Sequence, residues 1–524
     1  MSNRQPTSNL WERACSRMLG DRQQIWAGCT GLFASKLAPT TDYTQGRRWL
    51  GLVAMVLSLS ACQVGHDFLQ PKADVQVDWL PIQGEQGASK PQPVQIRERW
   101  WEVFNDPLLA SLIDRATRTN LDLKIAGARL EQSRAARQVV AGEQLPSVSG
   151  GLGYQRARNS AEGLSDPSGK SGKTAFSLWD GGLDASWEVD LWGRVKREME
   201  AADATVAVAD SDRRGVLLAV QAETAQDYLQ LRGVQETLAV TRENLGLARN
   251  SLELSNVRLA SGVATHLDVA QASAQVATVA ARIPVLEQRQ AQLINALSLV
   301  LAQTPRTLQE ELIRPVDRAP LPEVIPVGLP SELAQRRPDI RQAEARMHVA
   351  AASVGVAEGD FYPRIVLSGN VGFQAMQLSD FGSWGSRQFG IGPQLSVPIF
   401  EGGRLRGMLH LREAQEQEAA LNYQKTVLRA WQEIDDSMSL YNASQVQQSR
   451  LNDAVEQNRI ALQTAREQYK AGAVDFLNVL TVQRALLSSQ EQRVDSGTAQ
   501  ALALVGLYKS LGGGFEPLKT VARN

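Results

Sequence analysis

Two hydrophobic periods divide this chain, and they follow one another in an order that is used twice. The first is a period of two. Leu183, Ala185, Trp187, Val189 and Leu191 alternate with Asp184, Ser186, Glu188 and Asp190. Ile365, Leu367, Gly369, Val371 and Phe373 alternate with Ser368, Asn370, Gly372 and Gln374. Phe389, Ile391, Leu395, Val397 and Ile399 alternate with Gly390, Gly392, Gln394 and Ser396, and Val148, Leu152 and Tyr154 give a weaker version. One apolar and one polar face predicts four half-buried strands, two per half. The segments joining each pair, about 159–174 and 376–387, are rich in Gly, Ser and Asp and suit an exposed rim.

The second period is helical. Helices are expected at about 107–143 and 331–359, with Pro107 in a first turn and Gly142 and Gly359 at the stops. After the strands, Gly193 to Ala260 and Arg404 to Ala471 contain no proline. Helices of that length span roughly 100 Å at 1.5 Å per residue. A glycine-centred turn then leads to returning helices, about 265–302 and 475–511. Pro284 predicts a kink in the first of these, whereas Val494 stands at the matching place in the second. No compact core is that tall, so the helices must pack as a coiled coil or a tube.

The two halves are copies. Asp122–Pro146 aligns with Asp339–Pro363 without a gap, and eight positions are identical, among them Arg129/Arg346, Gly142/Gly359 and Pro146/Pro363. Chance gives about one or two such matches at ordinary residue frequencies. Further along, Gly193-Arg194 matches Gly403-Arg404, Glu223 matches Glu433, Gly262 matches Gly472, and Leu267 and Val269 match Leu477 and Val479. The expected divisions are a first repeat at 107–303, a proline-rich linker at 304–330, a second repeat at 331–512 and a tail at 513–524.

Four strands do not close a barrel, since the smallest membrane barrels need about eight. A soluble sandwich shows the same alternation, but four strands beside such long helices do not make one. Open edges cannot face lipid, where unpaired backbone groups cost several kcal/mol each. Oligomerisation is therefore required. Two chains would give eight strands and a lumen filled by side chains, so a conducting pore favours three.

Composition narrows the chemistry. The charges balance, with 55 basic and 56 acidic residues, which gives no electrostatic case for nucleic acid. The four histidines, His66, His266, His348 and His410, lack metal-ligand spacing, and no nucleophile or phosphate-binding motif is present. No cofactor, metal site or catalysis is expected. Of three cysteines, Cys15, Cys29 and Cys62, none lies in the body beyond residue 62. Arg47 and Arg48 precede the apolar run Trp49 to Leu59, which ends in Leu59-Ser60-Ala61-Cys62. That run reads as a signal peptide over 47–61 ending in a lipobox, with Cys62 acylated and residues 62–106 forming a lipidated N-terminal segment. The segment resembles that of bacterial lipoproteins, and by that resemblance Gln63 after the cysteine, where an Asp would imply retention in the inner membrane, is compatible with transport to the outer membrane. Residues 1–46 read as neither a targeting segment nor a domain, which implies a later translation start or an unusual extension.

Certain motifs carry a family likeness. They are Arg99-Trp100-Trp101, Phe104, Asp106-Pro107, Gly328-Leu329-Pro330-Ser331-Glu332-Leu333, Arg337-Pro338-Asp339-Ile340, Phe361-Tyr362-Pro363 and Pro398-Ile399-Phe400-Glu401-Gly402-Gly403. In this order, over 62–515, the chain resembles the outer-membrane factor family, and within it the lipoprotein branch that works with resistance-nodulation-division pumps. The resemblance implies a mainly α protein with membrane β structure. It implies a homotrimer in which four strands per chain complete a twelve-stranded barrel continued by a long α-helical periplasmic tunnel. Its location would be the outer membrane, anchored in lipid and extending into the periplasm. The implied partners are a periplasmic adaptor and an inner-membrane pump, and the implied role is a passive exit duct for small toxic molecules. By the same resemblance Arg258, Gly262, Thr265, Leu267, Asp268, Tyr469, Gly472, Asp475 and Asn478 are candidates for adaptor contact. Leu477, Thr481 and Arg484 fall at the channel gate. Thr481 departs from related channels, which often carry an Asp there, and this puts strong cation selectivity at the mouth in doubt. The glycines also read as ordinary helix C-caps, and Leu477 as a plain coiled-coil knob. Two other functions stay open: a type I protein-secretion duct with the same fold, and a structural coiled-coil lipoprotein that tethers envelope layers.

Overall fold

Asp106 begins the first helix. In the computed structural model its carboxylate accepts from the N–H groups of Leu108 and Leu109 at 2.9 and 3.1 Å, and Pro107 occupies the first helical position. The structure describes residues 63–69, 89–91, 99–158, 160, 175–316, 320–322, 325–327 and 336–513. Cys62, the signal peptide and the segment Gly328–Leu333 lie outside the described residues. A short parallel pair joins β1 (Ser89–Pro91) to β4 (Ile325–Val327).

The helix expected at 107–143 is two helices, α1 (Pro107–Thr119) and α2 (Leu121–Gly142). Asn120 makes the break, with φ −54° and ψ 135°. Its side-chain oxygen accepts from Leu123 N at 3.0 Å, and its amide donates to the carbonyl of Val300 at 2.9 Å. Thr119 donates likewise to Leu301 O. An asparagine side chain that competes with the helical backbone thus satisfies carbonyls at the end of another helix.

The four predicted strands form one antiparallel sheet. It consists of β2 (Ser147–Ala157), β3 (Phe176–Glu188), β5 (Arg364–Ala375) and β6 (Arg387–Ser396), in the order β2-β3-β5-β6. The central pair joins the two repeats, with Leu183 opposite Val371 and Gly182 opposite Gly372. At those two glycines the strands approach so closely that a Cβ would lie 2.5 or 2.4 Å from a facing backbone oxygen. Glycine is the residue such an approach permits.

The long helices are α3 (Arg194–Ala260) and α8 (Arg404–Lys470), each 67 residues. After α3 come α4 (His266–Ala280) and α5 (Arg282–Val300), broken at Ala281. Pro284 has no N–H for the carbonyl of Ala280, so the interruption falls one turn before the proline itself. The matching α9 (Phe476–Ser510) is continuous, with Val494 buried in its middle. The segment between the repeats holds a short helix, α6 (Gln309–Leu312), and Leu308 and Leu312 are buried in the main core. The helix that opens the second repeat, α7 (Pro338–Gly359), packs on α3 and α8.

The main apolar core sits at the waist. It gathers Trp100, Trp101, Leu109, Leu112, Ile113, Tyr228, Leu297, Met438 and Leu504. On α1, Leu109, Leu112, Ile113 and Ala116 follow the 3–4 spacing of one helix face. Among the described residues no helix is long and apolar enough to cross a membrane.

Candidate functional sites: the sheet, the start of the chain and the helical tips

The sheet departs from the half-buried expectation in one respect: among the described residues only Phe381, against Phe373, covers part of its apolar face. Antiparallel register puts Leu152, Leu183, Val371, Phe389 and Ile391 on the same side. All five are exposed, Ile391 at 80% and Phe389 at 79%. A soluble sandwich would cover that face with a second sheet. Among the described residues β2 and β6 each pair on one side only, so both edges carry unpaired backbone groups.

Residues 63–68 are fastened at the base of this sheet. Val64 N donates to Trp192 O at 2.9 Å, and Lys196 Nζ to Gln63 Oε1 at 2.6 Å. Arg197 organises the fastening. It is 2% exposed and donates to the carbonyls of Val64 and Gly65 and to the carboxylates of Asp67 and Glu200. Phe68 stacks on His348 with ring centroids 4.4 Å apart, and His348 meets Glu200 at 2.8 Å. The Glu200 carboxyl is held below the usual range: burial opposes this, and hydrogen bonds from His348 and Arg197 overcome it. The role of Arg197 was not visible in the sequence, where it is one arginine of Arg194-Val195-Lys196-Arg197. The histidines do not converge, since His66 pairs with Glu416, His348 with Glu200 and His410 with Glu413, while His266 opens α4.

At the far end of the long helices lie the two glycine turns. Gly262 and Gly472 have φ of +75° and +76°. Val263 N returns to Arg258 O and Ala473 N to Gln468 O, both at 2.9 Å, which closes each helix in the same way. Thr265 and Asp268 form a reciprocal capping box at the start of α4. Asp475 caps α9 through its backbone, with its carbonyl accepting from Asn478 N at 3.1 Å. Gly262, Thr265, Leu267, Gly472, Asp475 and Asn478 are exposed, and Leu267 and Leu477 match in exposure at 64% and 56%.

Two of the expected tip residues are spent inside the chain. Tyr469 is buried, and the Arg258 guanidinium lies 4.5 Å from its ring centre. Arg258 Nη1 also donates to the carbonyls of Tyr469 and Lys470 at 2.8 and 3.2 Å. A cation therefore caps the negative end of α8 from the neighbouring helix. Among the gate residues, Thr481 donates to Leu477 O at 2.8 Å, and Arg484 Nε donates to Gln275 Oε1 at 2.8 Å, which links α9 to α4.

Above the tips, polar pairs are buried between α3 and α9. Asn244 donates to Gln490 at 2.7 Å, and Ser251 to Gln483 at 3.3 Å. Asn244, Ser251 and Arg258 are seven residues apart, as are Gln483 and Gln490. This heptad spacing is present in the sequence, but polar residues at that period mark a solvated face as readily as a buried seam.

A family model described as "outer membrane efflux protein" matches residues 112–303 and 329–513. The chain belongs to the outer membrane efflux protein family. The pyoverdine export outer membrane protein OpmQ of Pseudomonas aeruginosa is 32% identical over 468 residues, covering 89% of this chain and 97% of OpmQ. The toluene efflux pump outer membrane protein TtgI of Pseudomonas putida is 31% identical over 463 residues, covering 88% of this chain and 97% of TtgI. The solved outer-membrane channel OprN superposes with a TM-score of 0.80 at 33% identity, over 86% of this chain and 99% of that one. This efflux protein is mainly helical, with strands that belong in the outer membrane and helices that extend into the periplasm.

Proposed function

We propose that this chain is one third of a passive exit duct in a tripartite efflux system, receiving small toxic molecules from an inner-membrane pump through a periplasmic adaptor. The observation that carries this reading is the four-stranded sheet with an exposed apolar face and two unpaired edges. Lipid is the medium that such a face fits, and a neighbour's strand is what such edges fit. Three copies supply twelve strands around an open lumen, and their long helices continue it as a tunnel. The reading assigns the chain no chemical step of its own. A coiled-coil tether leaves the sheet without a purpose.

Cys62 is the lipid-bearing residue in this reading. What supports this is that Gln63 and Val64, which directly follow the cysteine in sequence, are fastened to Lys196 and Trp192, just beyond β3. The exposed tip residues Gly262, Thr265, Leu267, Gly472, Asp475 and Asn478, with the half-buried Asp268, meet the adaptor, while Arg258 and Tyr469 brace the tips from within. Leu477, Thr481 and Arg484 line the mouth, which has threonine hydroxyls where related channels often carry carboxylates. The pump is of the resistance-nodulation-division type. Small molecules are the preferred cargo because OpmQ and TtgI are described by pyoverdine export and toluene efflux.

Edge-to-edge crosslinking tests the assembly. Cysteines introduced in pairs along β2 and β6, such as Ser149→Cys with Gln394→Cys, meet no other thiol in the body beyond residue 62. Oxidation in the outer membrane should give a ladder ending at three chains. A ladder ending at two, or none across a scan of the edges, contradicts the proposal.

A further inference from the structure

A cavity of about 250 Å³ lies in the waist, away from the sheet and the tips. Phe104, Leu229, Leu321 and Val494 give it apolar walls, and Arg232 and Gln448 add polar groups. Arg232 is 4% exposed. Its Nη1 is engaged, donating to Gln235 Oε1 at 2.7 Å and to the carbonyl of Arg314 at 2.6 Å. The guanidinium lies over the Tyr228 ring at 4.7 Å, but its Nε and Nη2 have no hydrogen-bond partner, and neither has the buried Oε1 of Gln448.

The other charged groups at the cavity are already occupied. Asp106 accepts two backbone N–H groups and the Tyr228 hydroxyl. Arg493 meets Glu236 at 3.5 Å. A buried guanidinium with two open donors is costly, and native structures rarely leave one so. Nε and Nη2 form one edge of the planar fork, the edge that accepts both oxygens of a carboxylate side by side. A phosphate would bring more charge and more oxygens than two donors satisfy, and the apolar walls would give it nothing. An apolar cavity of roughly 150 Å³ holds a benzene molecule, so this one has room for a carboxylate and a short chain.

We propose that this waist cavity binds a small aliphatic carboxylate, its two oxygens on Arg232 Nε and Nη2 and its chain against Phe104, Leu229 and Leu321.

Titration calorimetry of the detergent-solubilised full chain tests it, with hexanoate as the probe and hexanamide and inorganic phosphate as controls. Hexanoate should bind once per chain, and the controls should give no saturable heat. Arg232→Lys keeps the charge and loses the fork, and should weaken hexanoate at least tenfold. Leu321→Trp fills the cavity with Arg232 intact, and should abolish binding even if the arginine variant fails to fold. Absence of hexanoate binding, equal binding of hexanamide, or unchanged affinity in either folded variant overturns the proposal.

Discussion

The guanidinium of Arg258, near the end of the first long helix, covers the ring of Tyr469 at the end of the second and donates to its carbonyl at 2.8 Å. The two helical tips are thereby tied within one chain. Arg258→Ala should loosen both turns, since the cation–π contact and the helix-end contact are each worth about 0.5–2 kcal/mol. Limited proteolysis around residues 260–264 should accelerate several-fold. Arg258→Lys keeps the charge but loses the planar stacking, and should fall between the two. Cleavage as slow in Arg258→Ala as in the unchanged protein would show that the tie carries no strength.

Asp227 makes stability depend on pH. Burial, with Glu223 nearby, pushes its carboxyl up from 3.8 to about 6, against the pull of Arg289. The unfolded chain then releases this proton at a lower pH than the folded one. Stability from this group is highest below about pH 4 and falls as the pH rises toward 6. After allowance for partial exposure the loss is about 1–2 kcal/mol. Asp227→Asn should therefore raise the Tm at pH 7.5 by a few degrees and change it little at pH 4. A gain of equal size at both pH values would place the effect outside this titration.

The Asn244–Gln490 pair tests the buried polar seam. Gln490→Leu removes one of the two acceptors of Asn244 Nδ2 and leaves the carbonyl of Val240, at a cost of about 1 kcal/mol. The double change Asn244→Leu with Gln490→Leu removes both polar groups and should recover most of that loss. Thermal unfolding of the two single variants and the double gives the coupling directly. Additive losses would mean that the two side chains act independently.

The sequence carried what is local. Alternation at Leu183–Leu191 and Ile365–Phe373 located strands, and long proline-free runs located helices, because each reflects a backbone period. Gly262 and Gly472 were legible as turns because a positive φ leaves a glycine mark. The break at Asn120 was not, since the helical pattern runs on through it and only the distant carbonyl of Val300 accounts for it. The same holds for Arg197, Arg258 and Arg232. Each is one arginine among many, and each is singled out by a partner, or a missing partner, that only packing creates. Tyr469 is the reverse case: its place at a tip suggests a contact surface, while the fold buries its ring beneath Arg258.

The proposed duct requires three open sheets to close around a conducting lumen. Reconstitution of the purified, acylated protein in a planar bilayer tests it most directly. Discrete conductance steps are expected from a species that runs as three chains, with resistance to extraction by salt. Protein that leaves the membrane in salt and gives no conductance step at any voltage would contradict it.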